Sequence, residues 1–245
     1  MAKQRLDVLV ARRGLAGSRE QAQRLILAGK VTVAGAVADK PGHRFAADAE
    51  VEVKAPPRFV SRGGDKLEGA FSAFGLEVAG KICIDVGAST GGFTDCLLQH
   101  GAPRVLAVDV GKGQLHWNLR NDERVIVMEG VNARYLAPGD LPFVPVFAVM
   151  DVSFISLTKI LPAVIQVLGP RAEIVALIKP QFEAGRDQVG KGGVVRDEDL
   201  RREIVARVGE FGVRELGLER LGVCESPLRG PAGNVEFFIY WRKPD

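Results

Sequence analysis

Two acids and a set of glycines carry the first recognisable chemistry. Residues 81–95 read Lys-Ile-Cys-Ile-Asp-Val-Gly-Ala-Ser-Thr-Gly-Gly-Phe-Thr-Asp. An apolar run ends in Asp85, turns through Gly87, Gly91 and Gly92, and enters a helical stretch beginning at Phe93. A strand, a glycine-rich turn and a helix start form the usual frame of a nucleotide-binding α/β site. Spacing narrows the ligand. A dinucleotide site needs G-x-G-x-x-G, and the middle glycine, which admits a pyrophosphate, is Ser89 here. Such a loop, with Thr90 beside Ser89, suits a ligand without phosphates, such as S-adenosylmethionine. A second apolar run, Arg104 to Val108, ends in Asp109, 24 residues after Asp85. That is near the offset at which an acid meets ribose hydroxyls. A plain tight turn with a loop-capping acid is the competing reading, and two strand-terminal acids in register favour the ligand site. Glu129 and Asn132 follow the next strand, where an adenine ring is expected.

Four further charges stand where charge is costly unless paired. Asp151 ends the apolar run 146–150, and Lys179 ends Ile174 to Ile178. Glu236 falls inside a strand expected over 235–241, and Lys66 lies just before the first expected core helix. Two lysines and two acids can neutralise one another in one pocket. For Glu236, read alone, a structural salt bridge is an equal alternative.

The elements that must position these groups are those of a doubly wound, mostly parallel α/β sheet. Strands are expected at 82–86, 104–109, 124–128, 146–151, 172–179, 217–223 and 235–241. Helices are expected at 93–100, 157–168 and 198–211. Their alternation implies parallel pairing, with function at the carboxyl ends of the strands. The glycine-rich segment 181–196 follows Lys179 directly and reads equally as a lid or as an ordinary mobile loop.

Upstream lies a different unit. Residues 1–60 carry 11 Lys/Arg against 6 Asp/Glu, while the remainder is slightly acidic. A basic head on a near-neutral body points to a polyanion-binding module. Two short helices are expected within 5–28, the second opened by a capping box of Ser18 and Gln21 and stopped by Gly29. Strands follow at 30–33 and 49–54. Arg5, Arg12, Arg19, Arg24 and Lys30 are the candidate contacts to such a polyanion, because phosphate neutralisation needs several cations together; for each arginine alone a solvated surface charge is the alternative. The expected organisation is a head at 1–55, a proline-stiffened linker at 56–61 and a second domain at 62–245.

Other classes are disfavoured. Cys83, Cys96 and Cys224 form no C-x-x-C pair, and His43, His100 and His116 have no ligand spacing, so no metal is expected. Free thiols fit a reducing cytoplasm. The longest uncharged runs are far short of a membrane span of ~20 residues. No cysteine has the context of a cytosine C5 nucleophile. Asp151-Val152-Ser153-Phe154 lacks the prolines usual in exocyclic-amine methyltransferases. If the ligand is S-adenosylmethionine and the substrate RNA, neither base chemistry is well supported and ribose oxygen is left as the acceptor.

Family resemblance agrees. Arg5-Leu6-Asp7, Ser18-Arg19, Gly29-Lys30-Val31 and Lys40-Pro41-Gly42 resemble the S4 RNA-binding domain, with Ala34 in place of the usual turn Asn. Lys66, Asp151, Lys179 and Glu236 match in order the Lys-Asp-Lys-Glu tetrad of FtsJ-type ribose 2′-O-methyltransferases. Together with Ser61-Arg62-Gly63-Gly64, Lys179-Pro180-Gln181-Phe182-Glu183 and Gly233-Asn234-Val235-Glu236, the chain resembles the TlyA family. The resemblance implies a Rossmann-like methyltransferase that uses S-adenosylmethionine on cytidine 2′-hydroxyls of ribosomal RNA, with ribosomal subunits as partners. On this reading Lys179 accepts or steers the hydroxyl proton, with Lys66 beside it as a like charge. Competing readings are a non-catalytic ribosome-assembly factor and a membrane-active hemolysin, the name some family members carry. An NAD enzyme is more distant still.

Overall fold

The computed structural model describes residues 3–54 and 57–245. Contacts divide the chain into two compact units, Met1–Pro57 and Arg58–Asp245. The expected linker straddles that division. Ala55 and Pro56 lie outside the described residues, whereas Phe59 is buried in the second unit, where Val60 N–H donates to Asp95 at 2.8 Å.

In the first unit, β1 (Lys3–Arg5) leads into α1 (Leu6–Arg12), and α2 (Arg19–Leu27) follows. Ser18 caps α2 by accepting from the Gln21 N–H at 3.1 Å. The Gln21 side chain accepts from Gly17 N–H at 2.8 Å, so the expected reciprocal box closes one residue early. Three short strands form a sheet with β2 (Val31–Val33) between β3 (Ala36–Val37) and β5 (Val51–Val53). β4 (Arg44–Ala46) pairs antiparallel with β1. Leu6, Leu9, Val10, Ala22, Ile26 and Val31 fill the core between helices and sheet. β2 and β3 turn tightly through Ala34 (φ 47°) and Gly35 (φ 77°). Both central residues are left-handed, which is the demand of a type I′ hairpin.

The second unit opens with α3 (Arg62–Phe74). It then builds β6 (Ile82–Val86), α4 (Gly92–Gln99), β7 (Arg104–Asp109), α5 (Trp117–Arg120) and β8 (Val125–Glu129). After these come β9 (Phe147–Met150), α6 (Leu161–Val167), β10 (Glu173–Ile178) and α7 (Pro180–Glu183). α8 (Glu198–Arg214), β11 (Glu219–Glu225) and β12 (Phe237–Arg242) complete it. The sheet order is β11-β12-β10-β9-β6-β7-β8. Its five strands from β10 to β8 are parallel, and β12 runs antiparallel to both of its neighbours, β10 and β11.

Side-chain alternation splits the apolar residues between two faces. Ile84, Val86, Ala148, Met150, Ile174 and Ala176 face α6 and α8. Cys83, Phe147, Val149, Val175 and Leu177 face α3 and α4. The chain winds outward from β6 through β7 to β8, then returns to β9 on the other side of β6. Strand order therefore reverses between β6 and β9, the position at which open α/β sheets bind ligands.

Candidate active site

The turn after β6 opens at this reversal. Gly87 (φ 88°) and Gly91 (φ 96°) take left-handed conformations that glycine adopts without strain. Both are also held by packing. A Cβ on Gly87 would stand 2.5 Å from the Asp151 carbonyl oxygen, and one on Gly91 would stand 2.3 Å from Leu119. These glycines therefore let the β6 turn nest against the β9 end and α5.

A cavity of about 860 Å³ lies over the turn. Gly87, Ser89, Thr90, Gly92 and Phe93 line it, and so do Lys66, Asp151, Lys179 and Glu236. The volume lies within the range of small-ligand pockets. Five other expected ligand residues stand outside its lining. Gly91 packs beneath the turn. Asp85 is fully buried, and one of its oxygens accepts from the Thr94 hydroxyl at 2.7 Å. The other, Oδ1, has no hydrogen-bond partner, and burial pushes the carboxyl up to about 7. Asp109 accepts from the Ser89 N–H at 2.8 Å and from the Gly111 N–H at 2.7 Å, so it shapes the turn. Glu129 pairs with Arg120 at 2.6 Å, and the hydrogen bond from that guanidinium pulls its carboxyl down to about 2. Asn132 caps a short 3-10 turn by accepting from the Arg134 N–H.

The four charges meet in two ion pairs. Lys66 Nζ lies 2.5 Å from Glu236 Oε2, with both residues buried. Lys66 stands on the first turns of α3, rather than before the helix as expected, because helix formation already starts at Arg62. Glu236 precedes β12 instead of lying within it. Antiparallel pairing of Phe237 with Ile178 brings the start of β12 to the same sheet edge as the end of β10. Glu236 Oε1 has no hydrogen-bond partner. Lys179 Nζ lies 2.6 Å from Asp151 Oδ1 and donates to Ser153 Oγ at 2.8 Å. The Asp151 contact is a charge contact without aligned hydrogen-bond geometry, since the same oxygen lacks a hydrogen-bond partner. Each lysine has a carboxylate at contact distance, and all four groups line one cavity.

Several residues of the site had no separate place in the sequence reading. Phe154 is 90% exposed at the cavity wall, in a left-handed conformation (φ 64°), with its ring 5.0 Å from that of Phe182. Arg62 and Arg229 add positive charge to the lining. Asn234 is buried and fastens the glycine-rich loop, donating to Gly193 O at 2.8 Å and accepting from Val195 N–H at 3.0 Å. The motif residues flanking Asp151 and Glu236 gave a signal for Ser153, Phe154 and Asn234. Nothing local marks Arg229.

Thiol chemistry is not built here. Burial pushes the Cys83 thiol up to about 12 and raises Cys96 as well. Cys96, Glu68 and His100 do cluster, with donor atoms within 4.8 Å, which histidine spacing had not suggested. Glu68 is already held by His100 and by Arg58, each at 2.8 Å.

In the first unit Arg5 and Arg19 each pair with the fully buried Asp7 at 3.0 Å. Their side chains remain about half exposed, at 42% and 50%. Arg12 and Arg24 are exposed, and Lys30 is half-buried. Among the described residues, no helix is long and apolar enough to cross a membrane.

The FtsJ-like methyltransferase family matches residues 59–243, and the S4 domain matches residues 4–51. The 16S/23S rRNA (cytidine-2′-O)-methyltransferase TlyA of Mycobacterium tuberculosis is 50% identical over 240 residues, covering 97% of this chain and 89% of that protein. Hemolysin A of Brachyspira hyodysenteriae is 44% identical over 238 residues, covering 97% and 99%. A solved structure from Streptococcus thermophilus, a hemolysin by name, superposes with a TM-score of 0.76 at 47% identity, covering 100% of this chain and 90% of that one. With the sheet, the cavity and the four paired charges in place, the chain belongs to the TlyA family of FtsJ-like methyltransferases that carry an N-terminal S4 domain.

Proposed function

We propose that the protein transfers a methyl group from S-adenosylmethionine to the ribose 2′-hydroxyl of a cytidine in ribosomal RNA, in the cytoplasm. The observation that carries this reading is the pair of ion pairs, Lys66–Glu236 and Lys179–Asp151, on one cavity at the strand ends. The nature of the relatives supports the choice of RNA as substrate.

The residues present fit the donor. The cavity is large enough, and its lining includes Glu236, whose Oε1 is a buried acceptor without a partner. Gly87, Ser89, Thr90, Gly92 and Phe93 would hold the donor, with Asp85 and Asp109 shaping the turn from below. When bound, the donor supplies a methyl group on a positively charged sulfur.

A ribose hydroxyl is a poor nucleophile because it holds its proton far above neutral pH. Lys179 Nζ is the proposed proton acceptor, or the group that steers the proton away. Asp151 and Ser153 fix the direction of that nitrogen. Lys66 and Glu236 form the facing pair and fix the electrostatics of the pocket. The rest of the acceleration comes from holding oxygen, methyl and sulfur in line. Phe154 offers an exposed aromatic face on which the target base can stack. Arg12, Arg24 and Lys30, with the outward donors of Arg5 and Arg19, anchor the RNA from the S4 domain.

The test is incubation of purified ribosomal subunits with the protein and labelled donor, followed by mass spectrometry of the released nucleosides. 2′-O-methylcytidine is the expected product. Methylation of a base, or binding of donor without transfer, would reject the proposal in favour of a base methyltransferase or a non-catalytic assembly factor.

A further inference from the structure

The segment joining β9 to the next helical turn is under backbone strain at the point where it faces the cavity. Asp151 contacts Lys179, Ser153 accepts from it, and Phe154 then takes φ 64° with its ring almost wholly exposed. A bulky residue in the left-handed region is disfavoured and persists only where its surroundings hold it. Exposure of Phe154 means that its own side-chain burial does little to hold it.

Glu183 supplies the restraint. It is the last residue of α7, four positions beyond Lys179. Its carboxylate accepts from the Ser156 hydroxyl at 2.6 Å and from the Leu157 N–H at 2.7 Å. These are the second and third residues after Phe154. Leu157 is itself buried in the core, and the Arg207 side chain donates to the Glu183 carbonyl at 2.7 Å, which ties α7 to α8. The two strand-end segments that meet at the cavity, 151–157 after β9 and 179–183 after β10, are thus bolted together twice. One bolt is Lys179 on Asp151 and Ser153. The other is Glu183 on Ser156 and Leu157.

We infer that Glu183 is a positioning residue for methyl transfer, holding the Asp151–Phe154 segment in the strained geometry that presents Asp151 and Ser153 to Lys179 and Phe154 to the substrate. This rests on the methyl-transfer reading above. Glu183 lines no part of the cavity and acts only through the segment it grips. The grip needs two acceptor or compatible atoms at fixed spacing, which glutamine also offers. Its carbonyl oxygen can accept from Leu157 while its amide donates to Ser156 Oγ. Burial raises the Glu183 carboxyl, and the hydrogen bonds from Ser156 and Leu157 oppose that rise.

The experiment compares the full chain with Glu183→Ala, Glu183→Gln and Ser156→Ala on purified subunits, measuring kcat, KM for subunits and Kd for donor. Amide exchange at Leu157 is followed in the same proteins. Glu183→Ala should lower kcat roughly 10- to 100-fold, the scale of a sub-ångström to ångström misplacement, with donor Kd little changed and the Leu157 amide unprotected. Glu183→Gln should restore most of the rate and the protection. Ser156→Ala should fall between, with Leu157 still protected; if Glu183→Ala does not fold, this variant decides, and an unchanged kcat overturns the inference. Wild-type kcat in Glu183→Ala, or an equal loss in Glu183→Gln, also overturns it. Absence of transfer by the unmutated chain removes the functional reading, and the inference with it, and is seen before any variant is tested.

Discussion

Lys66 and Glu236 are 170 residues apart in the chain and 2.5 Å apart in the fold. The pair is buried, so each charge depends on the other. Removing one partner from a buried pair costs about 3–5 kcal/mol, whereas replacing both by apolar groups is often neutral. Glu236→Ala should therefore destabilise the second unit strongly. The double change Lys66→Met with Glu236→Leu should recover stability and remain inactive. Urea unfolding and methyl transfer, measured on the same samples, separate the two roles. An active double variant would mean that the pair is a structural salt bridge and nothing more.

Lys179 should behave differently. It is held to the site by Asp151 and Ser153. Lys179→Ala should cut kcat by roughly 100- to 10,000-fold, the usual range for a lost acid–base group. Donor affinity measured by calorimetry should stay near that of the parent. Turnover near the wild-type level would exclude Lys179 as the proton acceptor.

The hairpin at Ala34-Gly35 carries a local conflict. Ala34 sits at φ 47°, a region that costs an ordinary L-residue about 1–2 kcal/mol and that asparagine tolerates. Ala34→Asn should stabilise the first unit by up to ~1 kcal/mol, and Ala34→Val should weaken it. Amide protection in β2 and β5 reports the effect. A neutral Asn variant would show that the turn relaxes when the unit is free in solution.

Three of the candidate RNA-binding cations of the S4 domain should separate into two groups. Arg12→Glu and Arg24→Glu change exposed side chains and should weaken RNA binding while leaving the fold intact. Each lost phosphate contact should lower the log–log salt slope by roughly 0.7–0.9. Arg19→Glu should do the same and also destabilise the unit, because it sets an acid against the buried Asp7. Filter binding across a salt series, with thermal melts alongside, resolves the groups. An unchanged slope in all three would place the RNA anchor elsewhere.

Much of this arrangement was legible because charged residues end apolar runs. Asp109 and Lys179 stand out at strand ends for that reason, and the alternation of runs implied the parallel sheet. Partner choice was not legible. Which acid meets which lysine depends on β12 running antiparallel beside β10, and nothing in Val235 to Trp241 fixes that direction. Short elements escaped for another reason. Lys3-Gln4-Arg5 has no apolar alternation and becomes a strand only by pairing with Arg44 to Ala46. The glycine pattern was read correctly as a turn, but its cause lies in the neighbours Asp151 and Leu119, which sequence spacing cannot bring close.

Asp85 gives a pH dependence whose sign can be worked out. An unfolded aspartate titrates near 3.9. In the folded protein burial pushes the carboxyl up to about 7. Between these values the folded state holds a proton that the unfolded state has released. Stability from this group is therefore full at low pH, falls as pH rises from about 4 to about 7, and is flat above. Asp85→Asn keeps an acceptor for the Thr94 hydroxyl, whose bond to Asp85 is 2.7 Å, and removes the charge. The variant should match the parent near pH 4 and exceed it at pH 8, by an amount on the order of a few kcal/mol. Urea unfolding at several pH values, without donor, measures the difference. A gap that stays constant with pH would show that Asp85 remains ionised in the fold, and its unpartnered Oδ1 would then need a cation.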